Sequence, residues 1–198
     1  MFIAVPVPAA VREELRRLQD ELRGRLPGQA IRWTRPEQIH LTLRFLGNVP
    51  ADSVGELTDA VRRACASFAP IPLHAGRIGF FPQARVPRVI WVWVHDDWGH
   101  LTRLQQAATS VTSMFTKEPE EKGFTGHLTI ARAQGLKPAP ARILGEAALE
   151  MTNRVFGDWT AESVEIKRSE LSAGGSRYST LAELPLGGNT GCQNSAMA

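Results

Sequence analysis

Cysteine is almost missing: two occur in 198 residues, Cys65 in an apolar helical stretch and Cys192 in a polar tail. They lie far apart and in no metal spacing, so no disulfide framework is expected, which suits a reducing cytoplasm. No apolar run is long enough to span a membrane. The opening MFIAVPVPAAVREELRRL lacks a basic leader and turns charged too early for a signal peptide. No glycine-rich loop with lysine is present to cradle a nucleotide phosphate. No His/Cys/carboxylate cluster has zinc spacing, so neither a metal nor a cofactor is expected. Excess charge is small too, at a formal +3 with an isoelectric point of about 9.2. That mild balance helps a polyanion approach, but ordinary surface arginines explain it equally well.

What remains is an ordinary globular composition, 43% hydrophobic and 22% charged. It suits one compact domain or two small lobes sharing a core. FIAVPV reads as a short buried strand. From Ala9 to Arg25, Val11, Leu15, Leu18 and Leu22 recur at helical spacing. Ile31 to Trp33 and IHLTLRFLG read as strands, the second closed by Gly47 and Asn48. Asp52 or Ser53 is positioned to cap a second helix reaching about Ser67. Strands are expected from Ile71 to Phe81 and from Arg88 to His95. A third helix runs from about Trp98 to Met114, and a charged loop covers Thr116 to Gly126. HLTIAR is a further strand and Ala141 to Thr152 a helix. Ser163 to Leu171 and Arg177 to Leu184 pair around Ala173-Gly174-Gly175. A strand, a helix, a strand with HLTL and a helix are thus echoed later around HLTI, a loose internal duplication. The order predicts an α+β fold of two pseudo-symmetric lobes, with two facing antiparallel sheets lining a central cleft and helices outside. Residues 1–186 form that one domain, and 187–198 a polar, disordered tail.

Only five histidines occur, and two of them open nearly identical tetrapeptides: His40-Leu41-Thr42-Leu43 and His127-Leu128-Thr129-Ile130. In a strand, residues two apart share a face. Each tetrapeptide therefore buries two aliphatic side chains and presents an imidazole beside a hydroxyl. A single His-x-Thr is common and means little. Two copies, each in a strand of a duplicated pattern, place two imidazoles across one cleft. That pair can cleave a phosphodiester without a metal: one neutral imidazole takes a proton from water, and one imidazolium gives a proton to the departing ribose oxygen. An unperturbed pKa near 6.5 suits both tasks. Thr42 and Thr129 can donate to the non-bridging oxygens. The competing reading is a structural repeat whose histidines only make hydrogen bonds.

These residues resemble the two-histidine phosphoesterase superfamily and, within it, the RNA 2′,3′-cyclic phosphodiesterases, also called 2′–5′ RNA ligases. The resemblance rests on Arg32-Trp33, HLTLRFLG from His40 to Gly47, FTGHLTIAR from Phe124 to Arg132, and Ser169-x-Leu171 with Gly174-Gly175 and Tyr178. It covers the chain to about Leu186. It implies a bilobal α+β fold and metal-independent hydrolysis of RNA 2′,3′-cyclic phosphate ends, including those of tRNA fragments, to 2′-phosphates. By that likeness His40 is the proton donor, His127 the proton acceptor and Arg132 a phosphate ligand. One departure is Gly126, where the family often has proline.

Strand parity counts against Arg132, which falls on the face opposite His127 unless a bulge brings it round. Parity favours Arg44, a candidate substrate contact. Phe45 matches the position of Arg132 and is either a base-stacking residue or core. Tyr178 either reaches the cleft or caps a sheet. Trp91 and Trp93 share one strand face and read as core. His74, His95 and His100 read as structural or exposed. Alternatives stay open: 2′–5′ ligation of cyclic-phosphate and 5′-hydroxyl ends, an RNA-end or nucleotide-binding module without turnover, or an esterase for a small cyclic nucleotide. The expected molecule is a monomer with an RNA partner and no membrane association.

Overall fold

The computed structural model of the chain describes residues 1–29, 31–119, 123–172 and 175–188. The strands are β1 (Phe2–Val5), β2 (Ile31–Trp33), β3 (Leu41–Phe45), β4 (Ile71–Phe81), β5 (Val89–His95), β6 (His127–Ala133), β7 (Val155–Ala161), β8 (Ser163–Ser172) and β9 (Gly175–Pro185). The helices are α1 (Ala9–Arg25), α2 (Val54–Cys65), α3 (His100–Thr112) and α4 (Pro138–Glu150). Every pairing among these strands is antiparallel. They form one curled sheet in the order β7-β4-β5-β6-β3-β1-β8-β9, with β2 also paired to β6. The two expected sheets are the two halves of this path. Among the described residues, the halves meet at a single bridge between Leu41 and Leu128.

The duplication reads directly from this order. β1-α1-β3-α2 gives its strands to one half and β5-α3-β6-α4 to the other, with β1 beside β3 and β5 beside β6. The helices change sides: α1 packs on β6, β7 and α4, whereas α3 packs on β3 and α2. Each crossover helix covers the half to which it does not belong, so the lobes share a core instead of folding separately. α1 buries Val11, Leu15, Leu18 and Leu22 along one stripe. Each such leucine stabilises the fold by about 1.5–3 kcal/mol through the apolar area removed from water.

Some boundaries differ from expectation. Ser53 makes no capping bond; a 3-10 turn, Ala51–Ser53, leads straight into α2. The carboxylate that does cap a helix is Asp96, which accepts the N–H groups of Trp98, His100 and Leu101 ahead of α3. β7 has no counterpart among the elements read from sequence, because Gly157 and Asp158 disfavour a strand in isolation; pairing with β4 overrides that preference. β8 and β9 pair as expected, although Ala173 and Gly174 of their turn lie outside the described residues. Gly187 and Gly188 dock onto the end of α2, Gly188 N–H donating to the Phe68 carbonyl at 2.8 Å. The rest of the predicted tail, including Cys192, lies outside the described residues. Cys65 is buried. Among the described residues, no helix is long and apolar enough to cross a membrane.

Candidate active site

Both motifs sit at the middle of the sheet, one on each side of the Leu41–Leu128 bridge. The antiparallel register one position out sets His40 level with Thr129 and Thr42 level with His127. His40 immediately precedes β3, and His127 opens β6. The two are fixed in the same way. His40 Nδ1–H donates to the Gln38 carbonyl at 2.7 Å, and His127 Nδ1–H donates to the Thr125 carbonyl at 2.8 Å. A carbonyl can only accept, so Nδ1 carries the proton in both rings. In each neutral ring Nε2 is therefore the free, basic nitrogen.

Aromatic rings hold both imidazoles. Phe2 stacks on His40 with centroids 4.7 Å apart, and Tyr178 meets it edge-on at 5.3 Å. Phe81 meets His127 edge-on at 5.2 Å, with Trp91 tilted against it at 5.8 Å. Burial lowers the pKa of His40 below its ordinary value; Lys167 and His127 push the same way, while the Gln38 carbonyl and Glu165 oppose them.

Two bulges decide which other side chains join them. Between β1 and β3 the register runs Phe2–Phe45, Ile3–Arg44, Ala4–Thr42, stepping over Leu43. Between β5 and β6 it runs Val89–Arg132, Ile90–Ala131, Trp91–Thr129, stepping over Ile130. The extra residue is the fourth of each tetrapeptide, and each bulge reverses the parity beyond it. Arg132 thus shares the face of His127 and Thr129. Phe45 shares the face of His40 and Thr42, half exposed at 51% and 6.1 Å from Phe2, so it is not a core residue.

The same reversal corrects the expectation for Arg44. Its side chain is 5% exposed, and its terminal nitrogens donate to the Pro119 and Glu118 carbonyls at 2.8 Å each. It is committed to holding that segment rather than a phosphate. Trp91 and Trp93 also depart from the core reading. They lie opposite Thr129 and His127 on the site face of β5, each half-buried. Tyr178 does reach the cleft. The side chains of Thr42, Thr129 and Arg132 have no hydrogen-bond or ion-pair partner among the described residues and are open to solvent on the site face. His74 lies 3.0 Å from an Asp158 oxygen, His95 stacks on Trp93 at 4.2 Å, and His100 sits beside Asp96; none joins the pair.

Several contributors escaped the sequence. Gln19 is 2% exposed, and its amide donates to the Ile130 and Thr34 carbonyls at 2.8 Å each. The Ile130 carbonyl also accepts the Thr34 N–H at 2.9 Å, so Gln19 adds a second donor at the Ile130 bulge, two residues before Arg132. A glutamine inside an otherwise apolar helix stripe was the available signal. Arg32 lies directly across from Arg132; two cations opposite one another repel unless an anion visits. Gly126 has a clear local reason: a Cβ there would collide with the Val94 carbonyl oxygen. The strand must pass that close for Val94 N–H to reach the Gly126 carbonyl at 2.8 Å. No group of three or more His, Cys, Asp or Glu among the described residues is arranged to hold a metal ion.

A curled antiparallel sheet carrying two His-x-Thr strands at its centre defines a two-histidine phosphoesterase. Residues 5–91 match the model of the LigT like Phosphoesterase family. A protein of Archaeoglobus fulgidus named RNA 2′,3′-cyclic phosphodiesterase is 31% identical, over 91% of this chain and 97% of its own. One of that name from Thermus thermophilus is 28% identical over 96% and 92%. The fold matches a crystal structure of a Thermus thermophilus protein with a TM-score of 0.77 and 27% identity, over 94% of this chain and 97% of that one. It also matches E. coli LigT complexed with 3′-AMP, with a TM-score of 0.74 and 20% identity, over 93% and 96%. The chain belongs to the LigT-like phosphoesterase family.

Proposed function

We propose that this protein hydrolyses 2′,3′-cyclic phosphate ends of RNA to 2′-phosphates, tRNA fragments among them, as a monomer in the cytoplasm. The observation that carries this reading is the matched pair of imidazoles, each locked through Nδ1 with Nε2 free, flanking one bridge of the sheet. The names of the relatives support the substrate class.

The roles follow from the family likeness. Water attacks phosphorus and gives its proton to His127 Nε2. The P–O3′ bond breaks, and O3′ takes a proton from His40 Nε2, leaving the phosphate on O2′. Burial of His40 makes its imidazolium a stronger acid, which favours proton transfer to the leaving oxygen while reducing the fraction protonated at neutral pH. Thr42 and Thr129 donate to the non-bridging oxygens, and Arg132 meets the phosphate charge through its guanidinium fork. Phe45 and Tyr178 flank the ribose and base on the His40 side. No step needs a metal.

The test is turnover of a cyclic-phosphate oligonucleotide with identification of the product. A 2′-phosphate that forms undiminished in EDTA supports the reading; full activity in His40→Ala or His127→Ala refutes the mechanism. Mixed tRNA halves in the same assay would reveal 2′–5′ joining if the attacking oxygen belongs to RNA instead of water.

A further inference from the structure

A cavity of about 250 Å³ opens beside His40 on the side away from His127. The start of α1 supplies Arg12, the turn before His40 supplies Glu37 and Gln38, β8 supplies Glu165 and Lys167, and β9 supplies Arg177 and Tyr178. Its framework is tied down, since Gln38 donates its side-chain amide to the Ser176 carbonyl and its own carbonyl holds the His40 ring.

The charges in this cavity are unevenly satisfied. Lys167 is paired with Glu165 at 2.8 Å and also donates to Thr180 at 2.9 Å. The guanidiniums of Arg12 and Arg177 have no hydrogen-bond, ion-pair or ring partner among the described residues. Glu37 is the one carboxylate left to oppose them. Arg16, Arg17, Arg23, Arg25, Arg62 and Arg154 meet carboxylates; these two, like Arg132, do not. Two open forks at the mouth of one small polar cavity make an anion site.

We propose that Arg12 and Arg177 bind the phosphate on the 5′ side of the cyclic-ended nucleoside, so that the enzyme measures whether its substrate continues as a chain. This rests on the cyclic phosphodiesterase reading. With His40 protonating O3′, the terminal ribose lies on the His40 side, and its 5′ carbon leads away from His127 into this cavity. The space is smaller than the roughly 300–1,000 Å³ of pockets that hold drug-sized ligands, so it takes a phosphodiester rather than a second nucleoside. Glu37 disfavours an accumulation of negative charge and so selects a singly charged link over a terminal phosphate dianion.

The experiment compares three substrates: a nucleoside 2′,3′-cyclic phosphate, the same compound with a 5′-phosphate, and a dinucleotide ending in that cyclic phosphate. Wild type should favour the dinucleotide, with the 5′-phosphate compound intermediate. The double variant Arg12→Gln/Arg177→Gln should lose roughly 10- to 100-fold in kcat/KM on the dinucleotide, the range of one or two charge-assisted hydrogen bonds. It should keep its rate on the bare cyclic nucleoside. Equal losses on all three, or no preference in wild type, would overturn the proposal. Binding of the dinucleotide to His127→Ala, with and without the two arginine changes, reads the cavity apart from chemistry. If wild type turns over none of the three, the proposed reaction fails, and this binding decides the cavity: a salt dependence shallower by about 0.7 per lost contact supports it, and unchanged affinity overturns it.

Discussion

Leu41 and Leu128 bridge the two halves of the sheet, and each directly follows a histidine whose Nδ1 is held by the carbonyl two residues earlier. The site is therefore built on the seam of the molecule, where each half delivers one imidazole.

Replacing either histidine should abolish turnover while leaving the fold intact. Each ring lies at the surface of the groove, half-buried, with its aliphatic neighbours Leu41 and Leu128 fully buried behind it. His40→Ala and His127→Ala should each lose at least roughly 10²- to 10⁴-fold in kcat, the usual worth of a general acid or base. Thermal unfolding should move by only a few degrees. A variant that retains its rate would remove that histidine from the mechanism.

The pH behaviour should carry the mark of His40. Its folded pKa lies below the unfolded value near 6.5, so the unfolded chain binds the proton more readily. Its contribution to stability is complete above that value and is lost as pH falls through the folded pKa. Denaturant titrations at descending pH should show this loss, and His40→Gln should flatten it. The limb of the rate profile that His40 sets should shift up in Lys167→Met and down in Glu165→Gln. Those directions follow from the signs of the two neighbouring charges.

Arg44 and Arg132 should separate cleanly. Arg132→Ala should cost roughly 10- to 100-fold in kcat/KM with little change in stability, because its side chain is exposed and has no protein partner among the described residues. Arg44→Ala should do the reverse, lowering stability by about 1–3 kcal/mol as the Glu118 and Pro119 carbonyls lose their donors. Paired melting curves and steady-state kinetics would show the contrast; the opposite assignment would mean that the Leu43 and Ile130 bulges are misplaced.

Gln19→Met keeps the side-chain length but withdraws the amide donor from the Thr34 carbonyl and one of two donors from the Ile130 carbonyl. A loss of about 1–3 kcal/mol is expected. Because the Ile130 bulge turns Arg132 towards the groove, the variant should also weaken substrate binding at temperatures where it remains folded. An unchanged KM would confine Gln19 to stability.

Gly126→Ala pushes a methyl group against the Val94 carbonyl. The strand must shift, costing about 1–3 kcal/mol as in other overpacked sites. His127 is the next residue, so kcat should fall as well. A variant with wild-type stability and rate would show that the strand edge yields freely.

Local stereochemistry made much of this legible in advance. The α1 stripe from Val11 to Leu22 and the shared face of His40 with Thr42 follow from periods of 3.6 and 2 that any helix or strand obeys. Two spaced copies of one tetrapeptide were enough to single out the two imidazoles that the fold brings to either side of one bridge. Which arginine shares the site face was not decided there. A bulge depends on the partner strand and on carbonyls being satisfied from elsewhere, here at Ile130 by the Thr34 N–H and by Gln19 reaching across 111 residues. That non-local choice exchanged Arg44 for Phe45 on the site face, kept Arg132 there against simple parity, and opened Trp91 and Trp93 to the groove. Period and residue type act within a few residues, whereas the bulges and the Arg12–Arg177 cavity exist only once distant strands and helices have packed together.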